Sequence, residues 1–466
     1  MISSIIVDTW DSSPPPADLL AYLPREPYRF LLESQAGPAD ITRWSFLGYR
    51  PFLRFQSRGR ALTLHEGGGT RRWEGDPLEA LETLLAHYSV APLANTPPFV
   101  GGAVGYFSYD LGRQLERLPA TAHDDLALPE VWLAWYDYVL AIDHQAGRGY
   151  FIAVPLPGRE AQAVASAREL ACHLKASSST GVEALAGTAQ GQWVSNFTRA
   201  EYRSAVKRAL DHIGAGHVYQ VNLSQRFSAS WAGDAEALYG RLREANPAPF
   251  AAFLDCGEFQ IVSASPERFL HFDPLTRRVE TRPIKGTRRR GRTPAEDERL
   301  KAELLASEKD AAELVMIVDL ERNDLGKVCE YGAVRVPDLR RVEGYPTVWH
   351  TVATVEGIAR SSTCRADLLR ATFPGGSITG APKIRAMQII EELEGLRRHV
   401  YCGAIGYLSL NGRMDLNVAI RTITLKGGWA YFHAGGGIVA DSDPDAEYEE
   451  TLHKARALAA ALGFVL

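Results

Sequence analysis

Two long stretches dense in apolar segments are separated by a stretch that is poor in them: from about Pro155 to Gln192 the chain is rich in Ala, Ser and Gly, with Ala176-Ser-Ser-Ser-Thr180 and the run Leu185 to Gly191. This interruption constrains the fold most. With 466 residues, 46% of them hydrophobic, the chain exceeds the size at which a single core usually keeps growing. It divides into 1–155, a linker 156–192 that reads as one helix and a mobile connection, and 193–466. In the first region, alternating apolar segments such as Tyr28 to Glu33 and Val131 to Ile142, with turns at Glu66-Gly-Gly-Gly69 and Phe99-Val-Gly-Gly102, predict mainly antiparallel sheet with a few helices. In the last, Thr198 to Ile213 reads as a helix, and Val218 to Phe227, Phe259 to Val262 and Phe269 to Phe272 read as strands.

Composition excludes several function classes. A net charge of -5 makes the arginine-rich stretch near residue 290 a local feature of an acidic chain, so no nucleic-acid partner is expected. The start of the chain shows no export signal, and the most apolar segment, Val131 to Ile142, is interrupted by Asp137, so no membrane span is expected. Five scattered cysteines with no CxxC pair suit reduced thiols in a cytoplasmic enzyme, and all five are assigned to packing.

Three helix starts are signalled in the last region. Thr293-Pro-Ala-Glu296 has the form of a capping box and predicts a helix running toward Asp319, with Asp310 and Glu313 on one face. Gly375-Gly-Ser-Ile-Thr-Gly-Ala-Pro-Lys383 predicts a loop whose amides can take an anion, then a helix burying Ile384, Met387, Ile390 and Leu393 and stopping at Gly395. Asp441-Ser-Asp-Pro-Asp445 caps a final helix, on which Glu447 and Glu450 repeat the three-residue acidic spacing with Lys454 one turn on. Two such helices can meet around a hard cation such as Mg²⁺, although acids in a first helical turn also serve the helix dipole.

In Arg282-Pro-Ile-Lys-Gly-Thr287, a lysine lies between a proline-fixed stretch and a Gly-Thr turn. Arg282, Arg288, Arg289, Arg290 and Arg292 crowd it, and such crowding would favour a neutral, nucleophilic Lys285; a solvated basic turn is the alternative.

Ser265-Pro-Glu-Arg-Phe269, Pro283-Ile-Lys-Gly-Thr287, Asp319-Leu-Glu-Arg-Asn-Asp-Leu-Gly326, Gly376-Ser-Ile-Thr-Gly-Ala-Pro-Lys383 and Gly435-Gly-Gly-Ile-Val-Ala-Asp-Ser-Asp-Pro444 together resemble, in order, the chorismate-utilising enzymes. Leu31-Leu-Glu-Ser34 is similar to the start of the anthranilate synthase large subunit and of aminodeoxychorismate synthase component I, so the likeness covers nearly all but the linker. Gln220 stands where the water-adding members carry a lysine base, and Lys285 stands where anthranilate synthases carry alanine, so the resemblance points to the aminodeoxychorismate branch.

That resemblance implies an α+β fold in which two large antiparallel sheets pack as a sandwich with helices outside, both chain regions contributing strands. It implies that chorismate and ammonia give 4-amino-4-deoxychorismate, toward 4-aminobenzoate and folate, through a covalent adduct on Lys285, with Glu267 as general acid and His350 near the ring. It implies substrate contacts from Gly286, Thr287, Ser377, Tyr401, Arg421, Gly435, Gly436, Gly437 and Lys454. Mg²⁺ would be held by Glu313 and Glu450, supported by Glu447 and Asp310. Ser34, Ile41, Thr42, Arg43, Trp44, Pro249, Phe250 and Ala251 match a pocket that binds tryptophan in relatives. The sequence has no Gly-x-Cys-x-Gly nucleophile turn, so ammonia is expected from a separate glutamine amidotransferase subunit, aminodeoxychorismate synthase component II. The alternatives are an anthranilate synthase large subunit and a non-catalytic chorismate-binding regulatory subunit.

Overall fold

The computed structural model describes residues 5–11, 13–92, 96–177 and 189–464. Two twelve-stranded sheets hold all of the strands among the described residues, and every ladder between them is antiparallel. The first sheet runs from the edge strand Ile5–Asp11 through strands of the first hundred and fifty residues to Phe30–Glu33. There it continues into Phe250–Asp255, Phe259–Ser265, Thr422–Lys426, Trp429–Ile438 and Gln220–Trp231. The second runs from Ile284–Arg289 and Val348–Ile358 through Arg268–Asp273, Met414–Val418 and Ala404–Ser409 into Gly102–Phe107, Val131–Tyr136 and Leu53–Arg58. Each sheet thus joins strands from both sides of the sequence break, and both interiors depend on both regions. Within 156–192 the helix Glu160–Ser177 is present; the Ala/Ser/Gly run from 178 to 188 lies outside the described residues.

Strand alternation decides which core each side chain enters. Phe30 and Phe46 point toward the second sheet, where Phe30 meets Tyr136 at 4.6 Å and Phe46 meets Tyr407 at 5.5 Å between ring centres. Their neighbours Leu31 and Leu47 point the other way, into a second core with the helices Pro16–Tyr22, Glu160–Ser177, Ala235–Ala245 and Pro444–Leu462. The apolar run Val131 to Ile142 crosses from one sheet to the other at Asp137, a fully buried acid held by Arg159 at 2.8 Å.

Three local expectations need correction. The helix expected from Thr293 toward Asp319 is two helices, Pro294–Ala306 and Glu308–Gly326. Ser307 is extended between them and its hydroxyl accepts the Asp310 amide at 3.2 Å, a cap that starts a new helix. The Thr293 cap is one-sided, because the Glu296 carboxylate turns to the Arg292 amide and to Arg289. In the helix Lys383–Glu394, Met387, Ile390 and Leu393 are buried but Ile384, in the first turn beyond the packed face, is 43% exposed. Of the cysteines, Cys256, Cys329 and Cys402 are buried, whereas Cys172 is exposed on the outer side of its helix.

Candidate active site

Lys285 lies on the strand Ile284–Arg289, which pairs with Val348–Ile358 so that Lys285 is opposite Thr351 and Thr287 opposite His350. The register slips between them at Gly286, whose φ is +81°. A Cβ at Gly286 would lie 2.9 Å from Thr351 Oγ1 and 3.0 Å from Asp310 Cβ, so glycine lets the helix Glu308–Gly326 close onto this strand. The Lys285 amine donates to the Ser377 carbonyl at 3.0 Å, in the short turn Gly376–Ile378.

Burial pushes the Lys285 amine below its ordinary range and Lys454 adds to that, while Glu313, Glu267 and Glu450 pull it back. The arginines expected to depress it are engaged elsewhere. Arg282 pairs with Asp40 and Glu343, Arg288 with Glu303 and Asp310, Arg289 with Glu296, and Arg290 with Asp297. Their charge is answered locally, so desolvation takes the place of cationic crowding as the cause.

Glu267 follows the strand Phe259–Ser265 and is 4% exposed. Burial raises its carboxyl above the usual range, against the opposing pull of Ser377, Lys285, the Ile284 amide and Arg421. This is the condition of a carboxyl that can still carry a proton near neutral pH. His350 shares a 2.8 Å hydrogen bond between its Nδ1 and the Thr287 hydroxyl, while its buried Nε2 has no partner among the described residues. Burial, then Arg421, pushes its pKa down to about 3, so the ring stays neutral and offers Nε2 to whatever enters. Arg421 adopts φ +50° and donates to Asn246 Oδ1 at 2.8 Å.

The two acidic helices do converge. Glu313 and Glu450, on Glu308–Gly326 and Pro444–Leu462, lie close enough to feel each other's charge. Burial raises Glu313, with Asp310 and Glu450 acting the same way and Lys285 and Lys309 opposing. Burial also raises Glu447, which accepts from the Ser442 hydroxyl at 2.6 Å. For Glu450, burial is outweighed by Lys454, 2.7 Å away, and the group falls below its usual range. Among the described residues no three His, Cys, Asp or Glu side chains close around a single point. The donor set is nonetheless all carboxylate oxygen, and Glu313 and Glu447 have no ion pair among the described residues, which suits a hard divalent cation that takes its remaining ligands from water and substrate.

The triple glycine lies on the strand Trp429–Ile438, paired with Gln220–Trp231. The Gly435 carbonyl accepts from Lys454 at 2.9 Å. A Cβ at Gly436 would come within 3.2 Å of Glu447 and 3.3 Å of Glu450, and one at Gly437 would collide with Gln220 Nε2. Gln220 is fully buried, and neither polar atom of its amide has a partner among the described residues. Tyr401 stacks on His433 at 4.7 Å and lies near Arg398.

A separate cavity of about 160 Å³ is lined by Ser34, Ile41, Arg43, Trp44, Pro249, Phe250 and Ala251, together with Arg268 and His271. Thr42, expected beside them, turns its hydroxyl back to the Pro38 carbonyl at 3.0 Å and is not part of the lining.

Three residues near the site escaped sequence reasoning as participants. Lys309 bears on Glu313, Glu447 and Glu450. Glu321 sits behind Glu267, and Asn246 holds Arg421. Glu321 is two turns beyond Glu313 on the same helical face, a signal the motif already contained.

The family model described as chorismate binding enzyme matches residues 28–460. Aminodeoxychorismate synthase component 1 of Klebsiella aerogenes is 42% identical over 433 residues, 93% of this chain and 93% of that protein. Anthranilate synthase component 1 of Thermus thermophilus is likewise 42% identical, over 453 residues, 97% of this chain and 96% of that one. Among solved structures, anthranilate synthase component I from Streptococcus pneumoniae superposes with a TM-score of 0.80 at 34% identity, covering 90% of this chain and 92% of the other.

Proposed function

The chain belongs to the chorismate binding enzymes, and on that premise we propose that it aminates chorismate at C4 through a covalent adduct on Lys285, giving 4-amino-4-deoxychorismate. Relatives of both names match over nearly the whole chain, so overall likeness does not separate the two aminations. The observation that carries the C4 reading is the enclosed Lys285 amine, depressed by burial and set between Glu267, Glu313 and the Ser377 carbonyl.

In the proposed sequence Lys285 Nζ forms a bond to C2, both conjugated ring double bonds shift, and the C4 hydroxyl leaves as water with the proton of Glu267. Ammonia then bonds to C4, both double bonds shift back, and the surplus proton of the new amine returns to Glu267. The C2–Nζ bond breaks and its electron pair returns to the lysine, so the sum is chorismate plus ammonia to aminodeoxychorismate plus water. Arg421 would hold the enolpyruvyl carboxylate through its planar fork, with the Gly435 to Gly437 backbone and Tyr401 completing the wall. His350 and Thr287 would face the ring. Mg²⁺, held by Glu313 and Glu450 with Glu447 and Asp310 in support, would neutralise the ring carboxylate. Gln220 cannot take a proton from water, which disfavours hydration of the ring. The amine would come from a glutamine amidotransferase subunit, a partner expected across this family. The cavity beside Trp44 and Phe250 would take tryptophan.

Anthranilate formation is the second reading, favoured by the relatives that carry that name. Incubating the chain with chorismate, Mg²⁺ and an ammonium salt and identifying the product separates them. 4-Amino-4-deoxychorismate supports the first reading, anthranilate the second, and chorismate binding without turnover a regulatory subunit. No helix of the described residues is long and apolar enough to cross a membrane.

A further inference from the structure

Three hydrogen bonds form a closed ring around Arg421. The Ala264 amide donates to the Arg421 carbonyl at 3.1 Å, the Asn246 Nδ2 donates to the Ala264 carbonyl at 3.1 Å, and Arg421 Nη1 donates to Asn246 Oδ1 at 2.8 Å. The ring fixes which way the Asn246 amide faces, because only its nitrogen can serve a carbonyl and only its oxygen can serve a guanidinium. Asn246 itself is 6% exposed and ends the helix Ala235–Ala245, its own amide bonded to the Leu242 carbonyl at 2.9 Å. Neither its backbone nor its side chain has freedom to follow a wandering arginine.

The chemistry of the acceptor matters as much as its position. Among the described residues no carboxylate pairs with Arg421; its electrostatic neighbours are Tyr345 and Glu267, and burial lowers its pKa. A buried guanidinium is usually answered by an acid, as Arg268 is by Glu280 and Asp415 and Arg398 is by Glu394 in this same chain. At Arg421 a neutral amide stands where an acid would be expected. It steers the fork without cancelling the charge, and the remaining N–H groups stay open to an incoming carboxylate.

We infer that Asn246 is a positioning residue for Arg421, an uncharged acceptor that aims the guanidinium at the side-chain carboxylate of the substrate while leaving that charge unneutralised. The inference rests on the reading of this site as a chorismate pocket, and it gives Asn246 a part distinct from lining the neighbouring cavity, to which the following Pro249 and Phe250 belong.

The test compares Asn246→Asp in the otherwise native chain and in an Arg421→Ala background. Chorismate binding is followed by calorimetry with Mg²⁺ and no ammonium, and KM for ammonium and the melting temperature are measured alongside. An aspartate keeps the acceptor and the size but pairs with Arg421 as a competing carboxylate. The expected result is chorismate binding weakened on the order of 10- to 100-fold, with the ammonium KM and melting temperature unchanged, and no further loss from the same substitution once Arg421 is alanine. Asn246→Ser, neutral but too short to reach the guanidinium, should show the same dependence on Arg421 and serves if the aspartate variant is unstable. Unchanged chorismate affinity, or an equal loss in both backgrounds, overturns the inference. A native chain that binds no chorismate overturns instead the reading beneath it.

Discussion

Replacing Glu321 with glutamine should make the protein more resistant to unfolding at high pH and leave it little changed in acid. Glu321 is 7% exposed, on the helix Glu308–Gly326, and its carboxylate accepts from the Thr281 hydroxyl at 3.0 Å. The nearest cation, Lys383, is committed to Asp324 at 2.5 Å and to the Thr372 carbonyl at 2.8 Å. Burial first, then the charges of Glu267 and Asp324, push the Glu321 carboxyl up to about 8, against an ordinary value of 4.5, while Thr281 and Lys383 oppose. Below pH 4.5 folded and unfolded chains both hold the proton and the group does not discriminate between them. Between the two values the unfolded chain ionises and the folded chain does not, so stability is lost as pH rises, at roughly 1.36 kcal/mol per pH unit. Above pH 8 the loss is complete, on the order of 5 kcal/mol.

Glutamine has the same shape, can keep a hydrogen bond to Thr281 and does not titrate. Urea denaturation of both proteins at pH 5, 7 and 9 reads the difference, with the slope checked for constancy so that the midpoints report stability. The unfolding free energy of Glu321→Gln relative to the native chain should rise by about 4 kcal/mol between pH 5 and pH 9. Parallel stability curves for the two proteins across that range would refute the reasoning, since they would mean that Glu321 ionises in the folded chain as easily as in water.

Lys285→Arg keeps the charge but not a nucleophilic amine, so 4-amino-4-deoxychorismate formation should fall to background; incubating the native chain with chorismate and Mg²⁺ without ammonia should yield an adduct of chorismate less water on the peptide holding Pro283 to Thr287. Near-native activity of Lys285→Arg with no trapped adduct would remove Lys285 as the nucleophile. Glu313→Gln and Glu450→Gln should each abolish Mg²⁺-dependent turnover while far-ultraviolet circular dichroism stays unchanged, and full activity of either with a normal Mg²⁺ response would exclude that residue as a ligand. The isolated chain should turn over with ammonium and not with glutamine; glutamine-driven turnover in a preparation shown free of amidotransferase would contradict an external amine source.

The sequence reveals local chemistry more readily than long-range pairing. The carboxylate spacing on Glu308–Gly326 and Pro444–Leu462 is written in steps of three, and the cap at Asp443 follows from short-range hydrogen bonds. That Phe30–Glu33 would lie beside Phe250–Asp255, more than two hundred residues away, is set by which apolar faces match, and no local pattern encodes it. The same limit explains the misassigned cause at Lys285. Five nearby arginines look like crowding in one dimension; in three, four of them are answered by acids from Asp40 to Glu343, and the enclosing turn Gly376–Ile378 supplies the desolvation. The hold of Asn246 on Arg421 is equally long-range: it spans 175 residues and depends on a left-handed backbone at the arginine.

One helix shows how far enclosure, more than composition, sorts these acids. Asp310 at the start of Glu308–Gly326 is answered by Arg288 at 3.3 Å, and Asp324 near its end by Lys383 and Lys327 at 2.5 and 2.8 Å. Among the described residues the two glutamates between them have no ion pair, and they differ in what can reach them. Glu321 is closed in by Thr281 and by the Gly376 backbone, where a Cβ would lie 3.5 Å from its side chain, so the species that relieves its charge is a proton. Glu313 is half-buried, faces Lys285 and feels Glu450 from the opposite helix, so under the proposed function a cation arriving with substrate would relieve it instead. The four carboxylates share a helix, a face and nearly the same intrinsic acidity. What separates the pairs at the two ends from the two charges in the middle is the partner each environment admits.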